Sequence, residues 1–293
     1  MFFKKQKKDI FIFIGITILF VSPKWIISSI LYDENIILKV INEIEGDGEF
    51  YLPYIKYFSD YNFNYSFDLD EKNLRSISIP IGSLLLHSIF FKVSGVYSII
   101  ISEFIIFFLY LFFINEIYKI YFKSRLSFIL PILIITIPYI IIIFKLDEYF
   151  PLNIISSNFF NFRIHRPLST TLFLFIFIFL IAKILNENFD KKKAFFIGVV
   201  LGLTFTSFYY FFIIQFITFV IILFFKYRLN IFSYLFKNYS IIILFIIGFF
   251  LFSLPFLINI YFTESDFFQR AGMFELTKEK KIIILKYFIK NFI

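Results

Sequence analysis

The chain has 293 residues, of which 60% are hydrophobic and 17% are charged, with a mean hydropathy of +0.84. A water-soluble domain cannot bury this much apolar surface in one core, so the composition predicts an integral membrane protein. The lack of cysteine excludes disulfides and thiolate metal sites, and two histidines are too few for a multi-histidine metal centre. The net charge of +8 does not indicate nucleic-acid binding, because the basic residues lie in short loops between apolar segments, where they set membrane topology.

Apolar segments of about 20 residues predict membrane-spanning helices. The first, 10–31, follows a lysine-rich start and is not closed by a small-residue cleavage site, so we interpret it as an uncleaved span rather than a signal peptide. Further spans are predicted at 96–115, 126–144, 167–185 and 239–262.

The apolar segment 194–225 has two interpretations. As one helix it would be roughly 48 Å long, which exceeds the hydrocarbon thickness of about 30 Å. A hairpin that turns near Ser207–Tyr210 instead returns the chain to the side of the N-terminus. Lys226, Arg228 and Lys237 then join the other basic loops inside, as the positive-inside rule favours. The sequence therefore predicts seven spans with a cytoplasmic N-terminus.

The segment 32–76 then faces the outside and contains ten acidic residues against four basic ones. Two stretches, 49–61 and 77–92, are too short or too often interrupted to cross and are predicted to be juxtamembrane helices in the headgroup plane. His87, in the second stretch, is interpreted as a headgroup contact rather than a ligand. The stretch 278–293 predicts another amphipathic interfacial helix.

Four motifs occur along this layout in a fixed order. They are Gly-Asp-Gly-Glu-Phe-Tyr from residue 46, a proline-led helix with a Lys-x-x-Gly turn in 80–95, Arg-x-x-Arg-Pro in 163–167, and Gly-x-x-x-Gly in 193–202. In this order they resemble the GT-C superfamily of membrane glycosyltransferases. The resemblance is to the branch of the protein O-mannosyltransferases and lipid A aminoarabinose transferases, and it extends from residue 10 to residue 262.

The resemblance implies an all-α polytopic transmembrane helical bundle. Residues 1–262, with the outer loop 32–95, correspond to the family's seven-span module, and 263–293 to an outer-side segment of a chain that is either a fragment or a divergent relative. The implied activity is transfer of a sugar from a polyprenyl-phosphate donor to a glycan, lipid or protein acceptor, on the outer face of the bacterial cytoplasmic membrane. The implied partners are the lipid-linked sugar and membrane lipid, without nucleic acid. The resemblance demands no cofactor and leaves room for a divalent metal.

Such a transfer needs a base for the acceptor and cations for the departing phosphate. The resemblance makes Asp47 the candidate base, while Glu49 either hydrogen-bonds the acceptor or assists a metal. Arg163, His165 and Arg166, just outside the fourth span, are the candidate ligands of the donor phosphate. The alternative interpretation makes the acids solvated loop charges and the two arginines headgroup anchors.

Glu103 is a carboxylate within a predicted span and is expected to face the bundle interior. It either lines the cavity for the lipid phosphate or pairs with a buried polar group such as Gln215. A different class of function stays open, namely a non-enzymatic transporter or a component of polysaccharide export. Transporters tend to show internal repeats and broken helices at mid-membrane. The sequence shows no repeat and concentrates its acids outside the spans, which favours the enzyme.

Overall fold

The computed structural model describes residues 2–31, 48–62, 81–122, 129–134 and 169–261. Every regular element within these ranges is a helix, which confirms the predicted all-α class for this part of the chain. Helices suit these apolar sequences, because in lipid each backbone N–H and C=O group must find its partner within the same segment.

We number the helices in chain order. The first part contains α1 (Phe2–Leu31), α2 (Gly48–Ser59), α3 (Ile81–Ser94) and α4 (Ser98–Tyr121), with a 3₁₀ turn, Gly95–Tyr97, between the last two. A helical stretch at 129–134 follows. The second part contains α5 (Ser169–Asn186), α6 (Lys191–Ser207), α7 (Tyr209–Tyr227), a 3₁₀ turn (Arg228–Asn230), α8 (Ile231–Lys237) and α9 (Tyr239–Tyr261).

Four of the described helical segments are long and apolar enough to cross a membrane, which indicates a membrane protein. They are Lys8–Ile30, Ile81–Tyr121, Tyr209–Tyr227 and Tyr239–Ile258, and Thr171–Asn186 is a shorter apolar helix. The spans predicted at 10–31, 96–115, 167–185 and 239–262 overlap α1, α4, α5 and α9. Most of 126–144 lies outside the described residues, so the count of seven spans and the cytoplasmic N-terminus stay predictions.

The segment Ile81–Tyr121 is not one straight helix. As a single helix its 41 residues would extend about 60 Å. The chain instead turns after α3 at Gly95, whose φ of +57° lies in the left-handed region that glycine adopts without strain. As a result, His87 Nδ1 lies 3.1 Å from Ser102 Oγ, although 15 residues of straight helix would separate them by about 22 Å. α3 and α4 therefore fold back on each other.

The predicted helical hairpin is confirmed. α6 ends at Ser207 and α7 begins at Tyr209, so Phe208 alone separates them. At the other end of the pair, the Phe189 N–H donates to the Tyr227 hydroxyl at 3.0 Å. This bond places the last turn of α7 beside the loop that precedes α6, so the chain reverses direction at Phe208.

α6 and α9 approach each other through glycines on both helices. A Cβ atom placed on Gly202 would lie 2.5 Å from the Phe249 carbonyl oxygen, and one on Gly198 would meet another α9 carbonyl oxygen. From the opposite side, a Cβ on Gly248 would meet the Phe195 carbonyl oxygen. Carbon–oxygen contacts between helices normally measure about 3.3–3.6 Å, so these positions have room for hydrogen and nothing larger. The Gly-x-x-x-Gly motif therefore serves the contact between α6 and α9.

The chain divides into two compact units. The first comprises Met1–Phe63 and Pro80–Pro255, and the second comprises Asn64–Ile79 and Phe256–Ile293. Within the first unit, one apolar core joins α1, α4 and α5, and another joins α5, α6, α7 and α9. The second unit lies almost wholly outside the described residues. The predicted segment 263–293 and its amphipathic helix therefore stay predictions.

Candidate functional site

α1 and α4 run in opposite directions, and two side-chain contacts define their register. At one end, Lys119 Nζ of α4 lies 3.0 Å from Asp9 Oδ2 of α1. At the other end, the Trp25 Nε1–H of α1 donates to Glu103 Oε2 of α4 at 2.7 Å. The two contacts are about 24 Å apart along either helix, because each helix advances by roughly 16 residues between them. The pair is therefore antiparallel, with Glu103 far from the N-terminal end of α1.

Glu103 faces the interior, as predicted, and is 2% exposed. It accepts a hydrogen bond from Trp25, the single tryptophan of the chain, which offsets part of the desolvation that burial imposes on a carboxylate. Glu103 thus pairs with a buried polar group, as one alternative predicted, but the group is Trp25 and not Gln215. Gln215 is itself 2% exposed, and neither atom of its side-chain amide has a hydrogen-bond partner among the described residues. The other alternative, that Glu103 lines a cavity for a lipid phosphate, stays a prediction.

His87 is buried inside the protein, so its interpretation as a headgroup contact is wrong. Its exposed fraction is 2%, and its Nδ1 lies 3.1 Å from Ser102 Oγ. The Ser102 hydroxyl donates to the Ile99 carbonyl at 2.9 Å, so its oxygen is left to accept, and we assign the proton of His87 to Nδ1. The physical reason is the position of α3, which packs against α2, α4 and α6 with Ser83, His87 and Ser88 buried. The location of α3 in the headgroup plane stays a prediction.

The start of α3 is held closely against the end of α6. A Cβ atom on Gly82 would lie 2.5 Å from both the Leu203 carbonyl oxygen and Thr206 Oγ1. The neighbouring Ser83 is fully buried. His87 lies on the same helix as Gly82. This close approach therefore fixes the position of His87 relative to the α6–α7 hairpin.

α2 connects the acidic motif to these buried polar groups. It begins at Gly48, directly after Asp47, and includes Glu49 in its first turn. α2 packs on α3, and at their far ends Lys92 Nζ lies 3.7 Å from Asp60 Oδ1. Asp47 and the side chain of Glu49 lie outside the described residues. The structure therefore establishes the helix that follows Asp47, and the catalytic role of both acids stays a prediction.

The predicted phosphate ligands Arg163, His165 and Arg166 also lie outside the described residues. Among the predicted site residues, Glu103 is the one whose side chain is described, so their convergence on a single site stays a prediction. Within the described ranges, no three His, Asp or Glu side chains are grouped closely enough to hold a metal ion.

The sequence reasoning missed Trp25 as a partner of Glu103. The signal was present, because a carboxylate inside a span needs a donor, and an indole N–H is one of the few donors that an apolar helix offers. What the pattern does not contain is the pairing of α1 with α4, which brings together residues 78 positions apart.

A second polar cluster orders the loop between α5 and α6. Lys193 Nζ lies 2.8 Å from Asp190 Oδ2 and 2.9 Å from Glu187 Oε2. Lys226 Nζ donates to the carbonyl oxygens of Ile184 and Glu187, where α5 leaves its last carbonyls unpaired. The hydrogen bond from Lys193 lowers the pKa of Glu187. At Asp190, desolvation by partial burial acts to raise the pKa. The hydrogen bonds from Lys193 outweigh it, so the pKa of that carboxyl is lowered as well.

Two tyrosines close this loop from the side of α7 and α8. The rings of Tyr227 and Tyr234 stack with their centroids 4.4 Å apart. The Tyr227 hydroxyl accepts from the Phe189 N–H, and the Tyr234 hydroxyl donates to the Phe189 carbonyl at 2.6 Å. Burial, together with the neighbouring Tyr227 hydroxyl, raises the pKa of Tyr234 to about 12. Both backbone groups of Phe189 are thus satisfied by side chains that the sequence pattern did not single out.

Comparison of the chain with protein family models, with curated proteins and with solved structures finds no match in any of the three. The case for a function therefore depends on the residues and geometry of this chain.

Proposed function

We propose that this protein is a membrane glycosyltransferase of the GT-C type. It transfers a sugar from a polyprenyl-phosphate donor to a glycan, lipid or protein acceptor on the outer face of the bacterial cytoplasmic membrane. Asp47 acts as the base, and Glu49 assists through the acceptor or a metal. Arg163, His165 and Arg166 bind the departing phosphate.

The observation that supports this proposal best is the attachment of the acidic motif to the helical bundle. α2 starts directly after Asp47 and packs on α3, and α3 folds back on α4, the helix that carries buried Glu103. A base must be held in place relative to a donor whose tail lies in the bilayer. A helix packed on the bundle provides such a support for the residue that precedes it.

The chemistry follows from these roles. The Asp47 carboxylate takes the proton of the acceptor hydroxyl, and the acceptor oxygen forms a bond to the anomeric carbon of the sugar. The bond between that carbon and the phosphate oxygen breaks, and the polyprenyl phosphate leaves with the electron pair. The guanidinium groups of Arg163 and Arg166 stabilise the negative charge of the leaving phosphate, because they stay cationic and bind phosphate in a forked geometry.

The decisive test compares Asp47→Asn with Asp60→Asn. Both aspartates belong to the same acidic segment, but Asp60 is exposed at the far end of α2, where it faces Lys92. Sugar transfer would be measured in membranes that contain the native lipid-linked donor, with protein amounts matched by immunoblot. We expect Asp47→Asn to reduce transfer by about 100-fold or more, as loss of a general base does, and Asp60→Asn to stay within about twofold. Full transfer activity in Asp47→Asn would overturn the proposal.

A transporter or polysaccharide-export component is the second candidate, and one observation favours it. Glu103 and His87 are buried polar groups on α4 and α3, and such groups inside membrane helices often mark ion or proton pathways. The two candidates predict opposite rankings of the same variants. In proteoliposomes without donor lipid, proton-coupled flux that is lost in Glu103→Gln and kept in Asp47→Asn would favour transport over transfer.

A further inference from the structure

α8 has one anchored face and one exposed face. Tyr234 holds it to the α5–α6 loop, because its hydroxyl donates to the Phe189 carbonyl at 2.6 Å. Phe232 and Phe236, one turn apart, are 67% and 78% exposed. Positions two residues apart in an α-helix point in directions roughly 200° apart, so the anchor at Tyr234 turns both phenylalanines outward.

Exposed cations lie at both ends of α8 and next to the loop that it contacts. Arg228 precedes α8 and Lys237 ends it, while Lys191 and Lys192 start α6, next to the loop that Tyr234 anchors. None of these four forms an ion pair with another described residue. The nearby carboxylates of Glu187 and Asp190 both pair with Lys193, which leaves one negative charge against these four positive ones. We call the following residues the α8 surface: Lys191, Lys192, Arg228, Phe232, Phe236 and Lys237.

The position of this surface is set by the helices on either side of it. α7 and α9 each contain a candidate membrane span, Tyr209–Tyr227 and Tyr239–Ile258. A connection between two spans lies where they leave the hydrocarbon, at the level of the lipid headgroups. Exposed aromatic rings and cations in such a connection meet two environments, the apolar boundary of the acyl chains and the layer of phosphates above it.

We propose that the α8 surface binds the anionic phospholipids of the leaflet that it faces. Phe232 and Phe236 enter the boundary between headgroups and acyl chains, and the four cations pair with lipid phosphates. Charge selects the occupant, because the excess of positive charge favours an anionic lipid over a zwitterionic one. The exposed phenylalanines select a lipid over free phosphate, which contacts cations alone.

The lack of cysteine in the chain permits a site-specific test. Ser233→Cys, exposed on α8, would be labelled with an environment-sensitive fluorophore in the full-length chain, held in mixed micelles. Phosphatidylglycerol should shift the emission to the blue and saturate, and phosphatidylcholine at equal concentration should give a much weaker response. One cation near an anionic surface contributes about fivefold to binding. Arg228→Gln with Lys237→Gln should therefore raise the half-saturating phosphatidylglycerol concentration about 25-fold.

Three comparisons decide between the outcomes. Lys191→Gln with Lys192→Gln should weaken phosphatidylglycerol binding in the same way. This second charge pair decides the test if Arg228→Gln with Lys237→Gln lowers the melting temperature of the protein. Ile89→Ser with Val93→Ser removes an exposed apolar pair of the same spacing on α3 and should leave the response unchanged. Equal responses to the two lipids, or no effect of either charge pair, would overturn the proposal. A response of the same size to inorganic phosphate would overturn it too, because it would mean a bare anion site.

Discussion

The close contact between α6 and α9 makes a quantitative prediction for Gly202→Ala. The new Cβ would lie 2.5 Å from the Phe249 carbonyl oxygen, about 0.8 Å closer than carbon–oxygen contacts between helices allow. A backbone oxygen cannot rotate away as a side chain can. α6 and α9 must therefore separate, which loosens the packing of Phe249 against Phe205, whose ring centroids are 5.7 Å apart.

The expected magnitude follows from comparison with a second glycine. Overpacking in a well-packed interior costs about 1–3 kcal/mol, whereas replacing glycine by alanine within a helix contributes up to about 1 kcal/mol of stability. Gly15, in α1, isolates the second effect, because a Cβ placed there has no atom within 4 Å. Gly15→Ala should therefore be neutral or stabilising, and Gly202→Ala should be less stable than Gly15→Ala by about 1–3 kcal/mol.

The assay is reversible unfolding of the full chain in detergent micelles, followed by circular dichroism while a denaturing detergent is added. Gly248→Ala provides a second reading of the same contact, since its Cβ would meet the Phe195 carbonyl oxygen of α6, and should be destabilised to a similar extent. If the unfolding free energies of Gly202→Ala and Gly15→Ala agree to within about 0.5 kcal/mol, the close approach of α6 and α9 is wrong.

Three further predictions address buried or anchored polar groups. In a double-mutant cycle of Trp25→Phe and Glu103→Leu, the two changes should couple by about 1–3 kcal/mol in unfolding free energy, and a coupling near zero would contradict the hydrogen bond. Gln215→Met should stabilise the protein by about 1–3 kcal/mol, because it removes two buried polar atoms without partners among the described residues; destabilisation would reveal a partner such as water. Because the folded-state pKa of Tyr234 is raised from 10.0 to about 12, its stabilising effect is complete below pH 10 and is lost as the pH rises toward 12. Melting temperatures across this window should fall less steeply in Tyr234→Phe than in the native chain.

Charge and length together sufficed to predict the hairpin. An apolar stretch too long for one span, followed by basic residues without an acid among them, requires the chain to return to the side it left. The break at Phe208 lies inside the predicted turn, Ser207–Tyr210. The division of Ile81–Tyr121 into two helices is likewise readable from sequence, because Gly95 follows a stretch interrupted by polar residues.

Contacts between distant helices could not be predicted in the same way. Periodicity shows that a face is apolar, but it does not show which helix covers that face. His87 lies on a short amphipathic stretch, which is typical of an interfacial helix, and its burial depends on α2, α4 and α6 surrounding α3. The bond between Trp25 and Glu103 likewise depends on the antiparallel register of α1 and α4, which a single sequence does not encode in any local pattern.

The single-residue connection at Phe208 also bears on how the protein enters the membrane during synthesis. α6 has 17 residues, about 26 Å of helix, and opens with three lysines, so it is a poor insertion signal by itself. α7, directly behind it, is apolar enough to cross a membrane. For α6 and α7 to be two spans, as the sequence predicts, the single residue between them requires that they enter lipid as a joined pair. On that prediction we expect the partitioning of α7 to drive the insertion of α6.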